Sequence, residues 1–359
     1  MKPVRLSDVA RRAGVSTASV SRVVNAPERV RPELRRRVEA ALTEMRYVPH
    51  GAARALASQR SRTVGAVVPT LGIAIFAKGI EALQARLHEA GYTLLIAGTD
   101  NERAKELEVT RALIERGVDG LALVGTDHAP ALEEMLDASG MPYVNTYLYD
   151  PAAERPCIGI DNRAATYRLT RHLIELGHRE FAVLTSPRGN NDRVAARFAG
   201  IRDCLEDHGI ALPPGAVVEV PYGIADGRGG LRALLAYGRR FTALPCTTDV
   251  IAFGALAECR ARGIAVPDDL SITGFDDLDP AAHLDPPLTT VVVPAEELGR
   301  RTADYLLDRI AGRPVPDRTE LPASLVLRGS TAPPPGRLNR SPLQTATTTG
   351  GGGLRHAAV

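Results

Sequence analysis

Thr17, Ala18, Ser21 and Arg22 give the start of the chain a polar, basic helix face. The stretch over residues 17–25 is predicted to be helical because its apolar residues recur at three- and four-residue spacing, as Val20, Val23 and Val24. Those valines face inward, so the four residues named first face outward. A basic, outward-facing helix of this kind has the chemistry to bind a polyanion.

The distribution of charge indicates the same kind of partner. Residues 1–60 carry 13 lysines and arginines against 5 acidic residues, a net charge of +8, although the whole chain has only +2. A small basic module on a slightly acidic body favours nucleic acid binding by the module alone. A basic helix face that is merely solvated would give the same charge, and composition does not separate the two.

Motifs of common enzyme classes are missing from the sequence. The three lysines are Lys2, Lys78 and Lys105, and none follows a glycine, which excludes a phosphate-binding GK[ST] loop. The glycines at 227–230 do not complete a dinucleotide-binding GxGxxG pattern. Four scattered cysteines and eight histidines show no metal-ligand spacing. We therefore expect no catalytic residues, metal or cofactor. An α/β sugar-processing enzyme carrying a DNA-binding head is the alternative.

No segment has the length and apolarity of a membrane anchor. The first residues carry charge without an apolar core, which is atypical of a secretory signal, and no apolar run approaches about 18 residues. The sequence therefore predicts a cytoplasmic, nucleoid-associated protein with no membrane partner. A sugar-binding transport protein is disfavoured for the same reason.

The basic module has the pattern of a helix-turn-helix. Ser7 is a plausible N-cap for a helix that ends before Gly14, where a tight turn favours glycine. Ser16 is the next candidate N-cap, and Pro32 suits the first position of a third helix. Residues 1–49 are thus predicted to form an all-α DNA-binding head.

The sequence after the head predicts an α/β protein. Ten β-branched or apolar runs between residues 64 and 293 alternate with helical segments, a pattern typical of doubly wound parallel sheets. Ten strands fit two lobes better than one sheet, and ligands of such sheets bind beyond the carboxyl ends of the strands. A cleft between the lobes is the predicted ligand site. Residues 330–359 contain 16 Ser, Thr, Pro or Gly and no acid, so we predict a disordered tail.

Two stretches together resemble the LacI (lactose-repressor) family of bacterial transcription regulators. They are LSDVARRAGVSTASVSRVVN and the later RRRVEAALTEMRYVPHGAARALASQRSRTVG, and the resemblance extends to about residue 329. It implies that the second helix enters the major groove with Thr17, Ala18 and Arg22 nearest the base edges. Ser16 and Asn25 would contact phosphates. Arg22 can bind guanine N7 and O6; a phosphate contact is the alternative.

The same resemblance gives residues 50–60 a role of their own. In that family this segment is a hinge helix that orders on operator DNA, where a leucine opens the central base step in the minor groove. Leu56 stands at the matching position, and Ala53 lies one turn earlier on the same face. A plain linker is the alternative. The tail's leucines are irregularly spaced, unlike a tetramerising heptad helix, so we expect a homodimer on a palindromic operator.

Effector-binding residues are also implied by the resemblance. Arg197 matches the arginine of the family's RxxG(F/W) stretch, and Asp276 matches the first aspartate of its G(Y/F)DD. Two departures are Thr248 where asparagine is usual and Tyr147 where aspartate is usual. Weaker candidates are Thr70, Asn191 and Tyr222. An ion pair without ligand is the alternative for Arg197, and a helix N-cap the alternative for Asp276.

The sequence therefore predicts a regulator with a head, a hinge helix over 50–60 and a periplasmic-binding-protein-like core over 61–329. The first lobe is expected over about 61–160 plus 291–318, and the second over about 161–290 plus 319–329. The effector is expected to be a sugar, sugar acid or related metabolite, because a fixed cation faces a carboxylate across the cleft.

Overall fold

Three short helices form the amino-terminal head in the computed structural model, which describes residues 4–25, 27–48 and 60–336. They are α1 (Leu6–Ala13), α2 (Thr17–Asn25) and α3 (Pro32–Glu44), with a 3-10 turn at Pro27–Arg29 between the last two. Gly14 ends α1 with φ 62°. The predicted N-cap Ser7 is wrong. The helix starts one residue before it because the Asp8 carboxylate accepts a 3.0 Å hydrogen bond from the Arg5 N–H.

The head has a small apolar core of its own. All three helices contribute to it: Val9, Ala10, Ala13, Val20, Val23, Val38 and Ala41. Arg12 on α1 donates through Nε and NH2 to the Glu44 carboxylate on α3, at 3.0 and 2.9 Å. The inward face of α2 is therefore the one predicted from the valine spacing.

The first lobe of the core is built on a six-stranded parallel sheet. Its strands in chain order are β1 (Thr63–Val68), β2 (Thr93–Gly98), β3 (Gly120–Val124), β4 (Tyr143–Thr146), β5 (Cys157–Gly159) and β11 (Arg318–Glu320). Their order across the sheet is β11-β5-β4-β3-β1-β2. Its helices are α4 (Ala74–Glu89), α5 (Arg103–Glu115), α6 (Pro130–Ser139) and α11 (Ala295–Ile310).

The second lobe contains the remaining strands in three pairs. These are β6 (Val183–Thr185) with β7 (Val217–Glu219), β8 (Ala243–Pro245) with β9 (Ser271–Thr273), and β10 (Thr290–Val292) with β12 (Ser324–Val326). Isolated bridges such as Leu184–Cys246 and Thr273–Thr289 join the pairs. The order is therefore β7-β6-β8-β9-β10-β12. Its helices are α7 (Asn162–Glu175), α8 (Asp192–Asp207), α9 (Ile224–Ala236) and α10 (Asp249–Arg262), with 3-10 turns at Pro214–Ala216 and Asp279–Ala282.

The chain passes between the two lobes three times. The passages follow β5, β10 and β11, so each lobe is discontinuous in sequence. The last two passages come after 292 and 320, slightly later than the predicted divisions at 291 and 318. Strands 318–320 and 324–326 were not predicted because they are short and exposed on the sheet edges, without an apolar run.

The predicted disorder from Ser330 onwards is wrong for the first residues of that segment. Ser330 is fully buried; its hydroxyl accepts from the Thr289 N–H at 2.9 Å and donates to the Ile272 carbonyl at 2.6 Å. Two residues on, the Ala332 carbonyl accepts from the Ser271 hydroxyl. Backbone pairing with β9 therefore holds residues whose composition alone resembles a linker. Residues 337–359 lie outside the described part of the chain.

The described ranges contain neither a membrane-spanning helix nor a cluster of metal ligands. None of the helices there is both long and apolar enough to cross a membrane. No three His, Cys, Asp or Glu side chains in those ranges are grouped to hold a metal ion.

Candidate functional site

The outward face of α2 is available for contact. Thr17, Ala18 and Arg22 are exposed, and Ser21 is half-buried. Within the described residues, no hydrogen bond or ion pair holds the Arg22 side chain. Ser16 is the N-cap of the helix, because its hydroxyl accepts from the Ser19 N–H at 3.1 Å. Asn25 is the last residue of the helix. The predicted DNA-reading residues thus share one helix and its two ends.

The hinge residues Ala53 and Leu56 lie outside the described ranges. The core begins just after them, and its first residues are anchored to the first lobe. The backbone N–H groups of Ser61 and Arg62 donate to the two Asp119 carboxylate oxygens, each at 2.8 Å. Arg60 NH2 donates to the Ile310 carbonyl at the end of α11. Any segment joining the head to the core therefore ends at a fixed point.

A cleft of about 890 Å³, part of it open to solvent, lies between the two lobes. Six of the seven predicted effector residues line it: Tyr147, Asn191, Arg197, Tyr222, Thr248 and Asp276. Thr70 does not. Its hydroxyl instead accepts from the Gly72 N–H at 3.0 Å, and Pro69 lines the cleft in its place. The lining residues follow the carboxyl ends of strands in both sheets, as expected for doubly wound folds.

The two walls of the cleft differ in chemistry. The first lobe contributes mostly apolar side chains: Pro69, Ile73, Ile75, Phe76 and Tyr147, with Asn101. The second lobe contributes nearly all of the polar and charged ones: Ser186, Asn191, Arg193, Arg197, Tyr222, Thr248 and Asp276. A ligand that fits both walls has one apolar face and one polar edge.

Arg197 is a buried junction on α8, 7% exposed. Its Nε donates to Asn162 Oδ1 at 2.8 Å and its NH1 to the Thr247 carbonyl at 3.0 Å. NH1 also lies 3.3 Å from the Asp276 carboxylate. The guanidinium stacks on the Phe275 ring at 3.7 Å from the centroid. Arg197 lines the cleft, and its role towards an effector stays a prediction. The expected opposition of this cation and the Asp276 carboxylate across the cleft is wrong, because both belong to the second lobe and form an ion pair within it.

Asp276 is 3% exposed and follows β9 with φ 117°, a left-handed conformation unusual outside glycine. Burial raises the pKa of its carboxyl to about 7, against the opposing effect of Arg197. Next to it, Asp249 fixes the loop by accepting from the Thr290 hydroxyl at 2.6 Å and the Leu278 N–H at 2.8 Å. Asp276 precedes a short turn and caps no helix, so the N-cap alternative does not apply.

Tyr147 forms part of the cleft floor, and its hydroxyl is already used. The hydroxyl donates to the Ile75 carbonyl at 3.0 Å, and the ring meets Phe76 edge-on at 5.0 Å between centroids. Gly79 leaves room for that hydroxyl, because a Cβ there would collide with it. Asn191 is likewise occupied, because its Oδ1 caps α8 by accepting from the Val194 N–H at 3.3 Å.

Several polar groups of the cleft have no hydrogen-bond partner among the described residues. They are the Ser186, Tyr222 and Thr248 hydroxyls and the Asp276 Oδ1 atom, all buried; Oδ1 makes no hydrogen bond but is ion-paired with Arg197 NH1 at 3.3 Å. A buried polar atom without a partner costs about 1–3 kcal/mol, so it is uncommon in a folded core. All four come from loops of the second lobe and line one cleft. Their arrangement fits a ligand that carries hydroxyl or similar groups along one edge.

Two further residues of the site were not predicted from the sequence. Asn162 is fully buried at a passage between lobes; its Nδ2 donates to the Tyr147 carbonyl at 3.0 Å while its Oδ1 accepts from Arg197. Arg193, on the first turn of α8, is 6% exposed and lines the cleft. Asn162 lies two residues after the apolar run Ile158–Ile160, and a polar residue so close to a strand end is the signal that could have identified it. Arg193 offers no such signal, because it matches no motif of the sequence and lies inside a predicted helix.

Two parts of the chain match described protein families. Residues 5–50 match the bacterial regulatory proteins of the lacI family. Residues 170–331 match a periplasmic binding protein-like domain. The two matches correspond to the head and to most of the second lobe.

Similar proteins span nearly the whole chain. It is 32% identical over 329 residues to the HTH-type transcriptional repressor CytR of Escherichia coli (strain K12), covering 91% of this chain and 96% of that protein. It is 33% identical over 335 residues to the HTH-type transcriptional repressor PurR of Escherichia coli O1:K1 / APEC, covering 92% and 98%.

Solved structures show the same architecture. A LacI-family transcriptional regulator from Silicibacter pomeroyi superposes with a TM-score of 0.85 at 26% identity, over 92% of this chain and 100% of that one. The Lac repressor dimer bound to operator and the anti-inducer ONPF gives a TM-score of 0.83 at 28% identity, with the same coverage.

Proposed function

This chain belongs to the LacI family of bacterial regulatory proteins, and from that premise we propose that it binds a palindromic operator as a homodimer under the control of a small metabolite. It is a DNA-binding transcriptional regulator whose core binds a small ligand. The proposal is that the ligand is hydroxylated or acidic and occupies the cleft between the lobes. Its binding sets the affinity of the heads for the operator.

One observation carries the proposal for the cleft. Ser186, Tyr222, Thr248 and Asp276 all line the same space between the lobes, and each has a buried polar side-chain atom that makes no hydrogen bond within the described residues. Ligand hydroxyls would provide the hydrogen bonds that these atoms lack. Because the opposite wall belongs to the other lobe, a ligand in this position contacts both and favours one angle between them.

On the DNA side, the proposal assigns different roles to residues of one helix. Thr17, Ala18 and Arg22 read base edges in the major groove, with Ser21 on the same face. Ser16 and Asn25 hold phosphates and set the position of the head. From the sequence alone, Ala53 and Leu56 enter the minor groove at the centre of the operator.

The relatives are transcriptional regulators, and we propose that this chain likewise has no catalytic activity. The alternative, an α/β sugar-processing enzyme with a DNA-binding head, makes a different prediction for the same ligand. An enzyme would convert a compound that binds the cleft, whereas a regulator would release it unchanged. Incubating the protein with a bound compound and analysing the mixture by mass spectrometry separates the two.

Two measurements test the proposal. A thermal-shift screen of sugars, sugar acids and organic acids identifies compounds that stabilise the full chain, because ligand binding raises stability by mass action. Operator duplexes selected from random DNA are then titrated with and without each compound. We expect a change in operator affinity of about 5–150-fold.

Asp276→Ala is the matched variant for the cleft. It should bind the selected operator almost as wild type does while losing the response to the compound, since the carboxylate lies in the cleft. A wild-type response from Asp276→Ala would contradict the assignment of the cleft.

A further inference from the structure

Arg193 combines deep burial with unused hydrogen-bonding capacity. The side chain is 7% exposed and its guanidinium makes one side-chain hydrogen bond, from NH1 to the Asp192 Oδ1 atom at 2.8 Å. A guanidinium has five N–H donors in a fixed fork. Within the described residues the structure gives the other donors of Arg193 no partner, although the residue lines the cleft. Asp192 neutralises the charge of Arg193, but the remaining donors are open to an acceptor in the cleft, and an oxyanion matches the fork best.

The Asp192 carboxylate cannot accept hydrogen bonds from all the donors of Arg193, because it also accepts hydrogen bonds from the facing lobe. Oδ2 accepts from the Thr126 N–H, from the Thr126 hydroxyl at 3.0 Å and from the Asp127 N–H at 3.1 Å. Oδ1 accepts from the Arg193 backbone N–H as well as from its side chain. The carboxylate therefore receives five hydrogen bonds, three of them from the other lobe.

Arg193 itself reaches the facing lobe at Gly125. That glycine has φ 88°, and a Cβ there would collide with the Arg193 guanidinium and the Asp192 carboxylate. The arginine thus lies where the two lobes meet, next to the ligand space and against the backbone of the other lobe. Arg197, by contrast, is held by Asn162, Thr247 and Asp276.

We propose that Arg193 binds an oxyanion group of the effector, a carboxylate or a phosphate, whose apolar body packs on the Ile73, Ile75 and Phe76 wall. The proposal rests on the proposed function and narrows the effector class to small acids with an apolar face. A neutral sugar accepts hydrogen bonds from Arg193 through its hydroxyls but lacks the negative charge that strengthens them.

The test uses the full chain and matched pairs of probes that differ in one anionic group. The pairs are D-glucuronate with D-glucose and 4-hydroxybenzoate with 4-hydroxybenzamide, and inorganic phosphate is tested alone. Each is titrated by thermal shift into wild type, Arg193→Gln and Arg193→Lys. The control is Arg202→Gln, an exposed arginine of the same helix that contacts Asp203 outside the cleft.

We expect at least one anion to stabilise wild type and Arg202→Gln more than its neutral partner does. Its apparent affinity should fall about tenfold or more in Arg193→Gln, because a charge-assisted hydrogen bond of about 1.5–3 kcal/mol is lost. Arg193→Lys should lie between the two, since it retains the charge without the fork. Preference for phosphate over both carboxylates would assign the group to a phosphate ester, and the reverse to an organic acid.

The proposal is overturned if no anion shows an Arg193-dependent effect up to tens of millimolar. It is also overturned by a neutral compound that binds Arg193→Gln as tightly as wild type and still shifts operator affinity; in that case the proposed function stands. Another outcome is an anion that binds through Arg193 without changing operator affinity. That result would support the oxyanion subsite and contradict control of the operator by that ligand.

Discussion

At the scale of single residues, the buried carboxyls of the second lobe give the protein a distinctive pH dependence. Burial raises the pKa of Asp276 to about 7 and that of Asp249 to about 6. A carboxyl whose pKa is higher in the folded state holds its proton more tightly there. Its contribution to the free energy of unfolding is therefore present at low pH and lost as pH rises from about 4 to about 7. His128, whose pKa is also raised, acts in the same direction, whereas His172 and His178, whose pKa values burial lowers, act in the opposite direction.

We expect the two carboxyls to make the melting temperature of the ligand-free protein fall between pH 5 and pH 8, against the opposing effect of His172 and His178. Asp276→Asn should flatten this fall, because the amide has a similar shape and does not titrate. Differential scanning calorimetry at several pH values measures the effect. Glu297→Gln is the control, because Arg301 and Arg300 lower the pKa of Glu297, which therefore titrates below this range. A slope for Asp276→Asn equal to that of wild type would contradict the raised pKa.

Arg22 gives a second prediction at this scale. If it binds a guanine through two hydrogen bonds, Arg22→Ala should weaken binding to the selected operator by about 1–3 kcal/mol. Binding to random DNA should change little, so sequence preference falls. Titrations of operator and random duplexes at two salt concentrations measure this. Equal losses on both, with a smaller salt slope, would indicate a phosphate contact instead.

At the scale of secondary-structure elements, the sequence predicts what depends on local pattern. The inward valines of α2, the left-handed Gly14 and the start of α3 at Pro32 each follow from residue type and spacing. The position of six cleft residues follows from a topological rule about strand ends together with the family resemblance. These features need no knowledge of how distant segments meet.

Features that depend on distant segments were not predictable in this way. Tyr147 uses its hydroxyl on the Ile75 carbonyl, and Arg193 lies against Gly125, only because the two lobes face each other. Ser330 is buried because β9 and the residue before β10 provide its partners, against the composition of its own segment. Long-range packing decided each of these outcomes.

The hinge segment supplies the prediction that belongs to this scale. Leu56→Ala should bind the cleft ligand as wild type does, measured by calorimetry, because the core from Arg60 onwards is anchored independently. Its operator affinity should fall about tenfold or more, since the smaller side chain no longer holds the central base step open. Arg54→Ala is not an adequate control, because it removes a charge. Leu56→Ala does not lower helix propensity, so Ala57→Gly, which does, separates the need for a helix from the need for the leucine side chain. Wild-type operator binding by Leu56→Ala would make residues 50–60 a plain linker.

At the scale of the whole molecule, the first lobe connects the cleft with the start of the core within the described residues. That lobe holds the apolar wall of the cleft and also the anchored start of the core at Ser61 and Arg62. The polar wall lies in the second lobe, joined by three passages of chain and by Asp192. A ligand that changes the angle between the lobes therefore moves one wall relative to the point at which the core begins. Such a change alters operator binding only if two copies of the chain hold their Ser61 and Arg62 segments at a defined distance from each other.

This requirement leads to the last prediction, that two copies bind one symmetric site. A single head of three short helices presents one reading helix, which is too small a surface for tight specific binding, whereas two-fold symmetry doubles the contacts on an inverted repeat. Analytical ultracentrifugation of the full chain should give a dimer, and footprinting should protect both halves of a palindrome. A duplex with one half-site scrambled should bind far more weakly than the intact palindrome. A monomer that protects an asymmetric site would contradict the prediction. With a single copy there is no distance between two heads that a change in the angle between the lobes could alter.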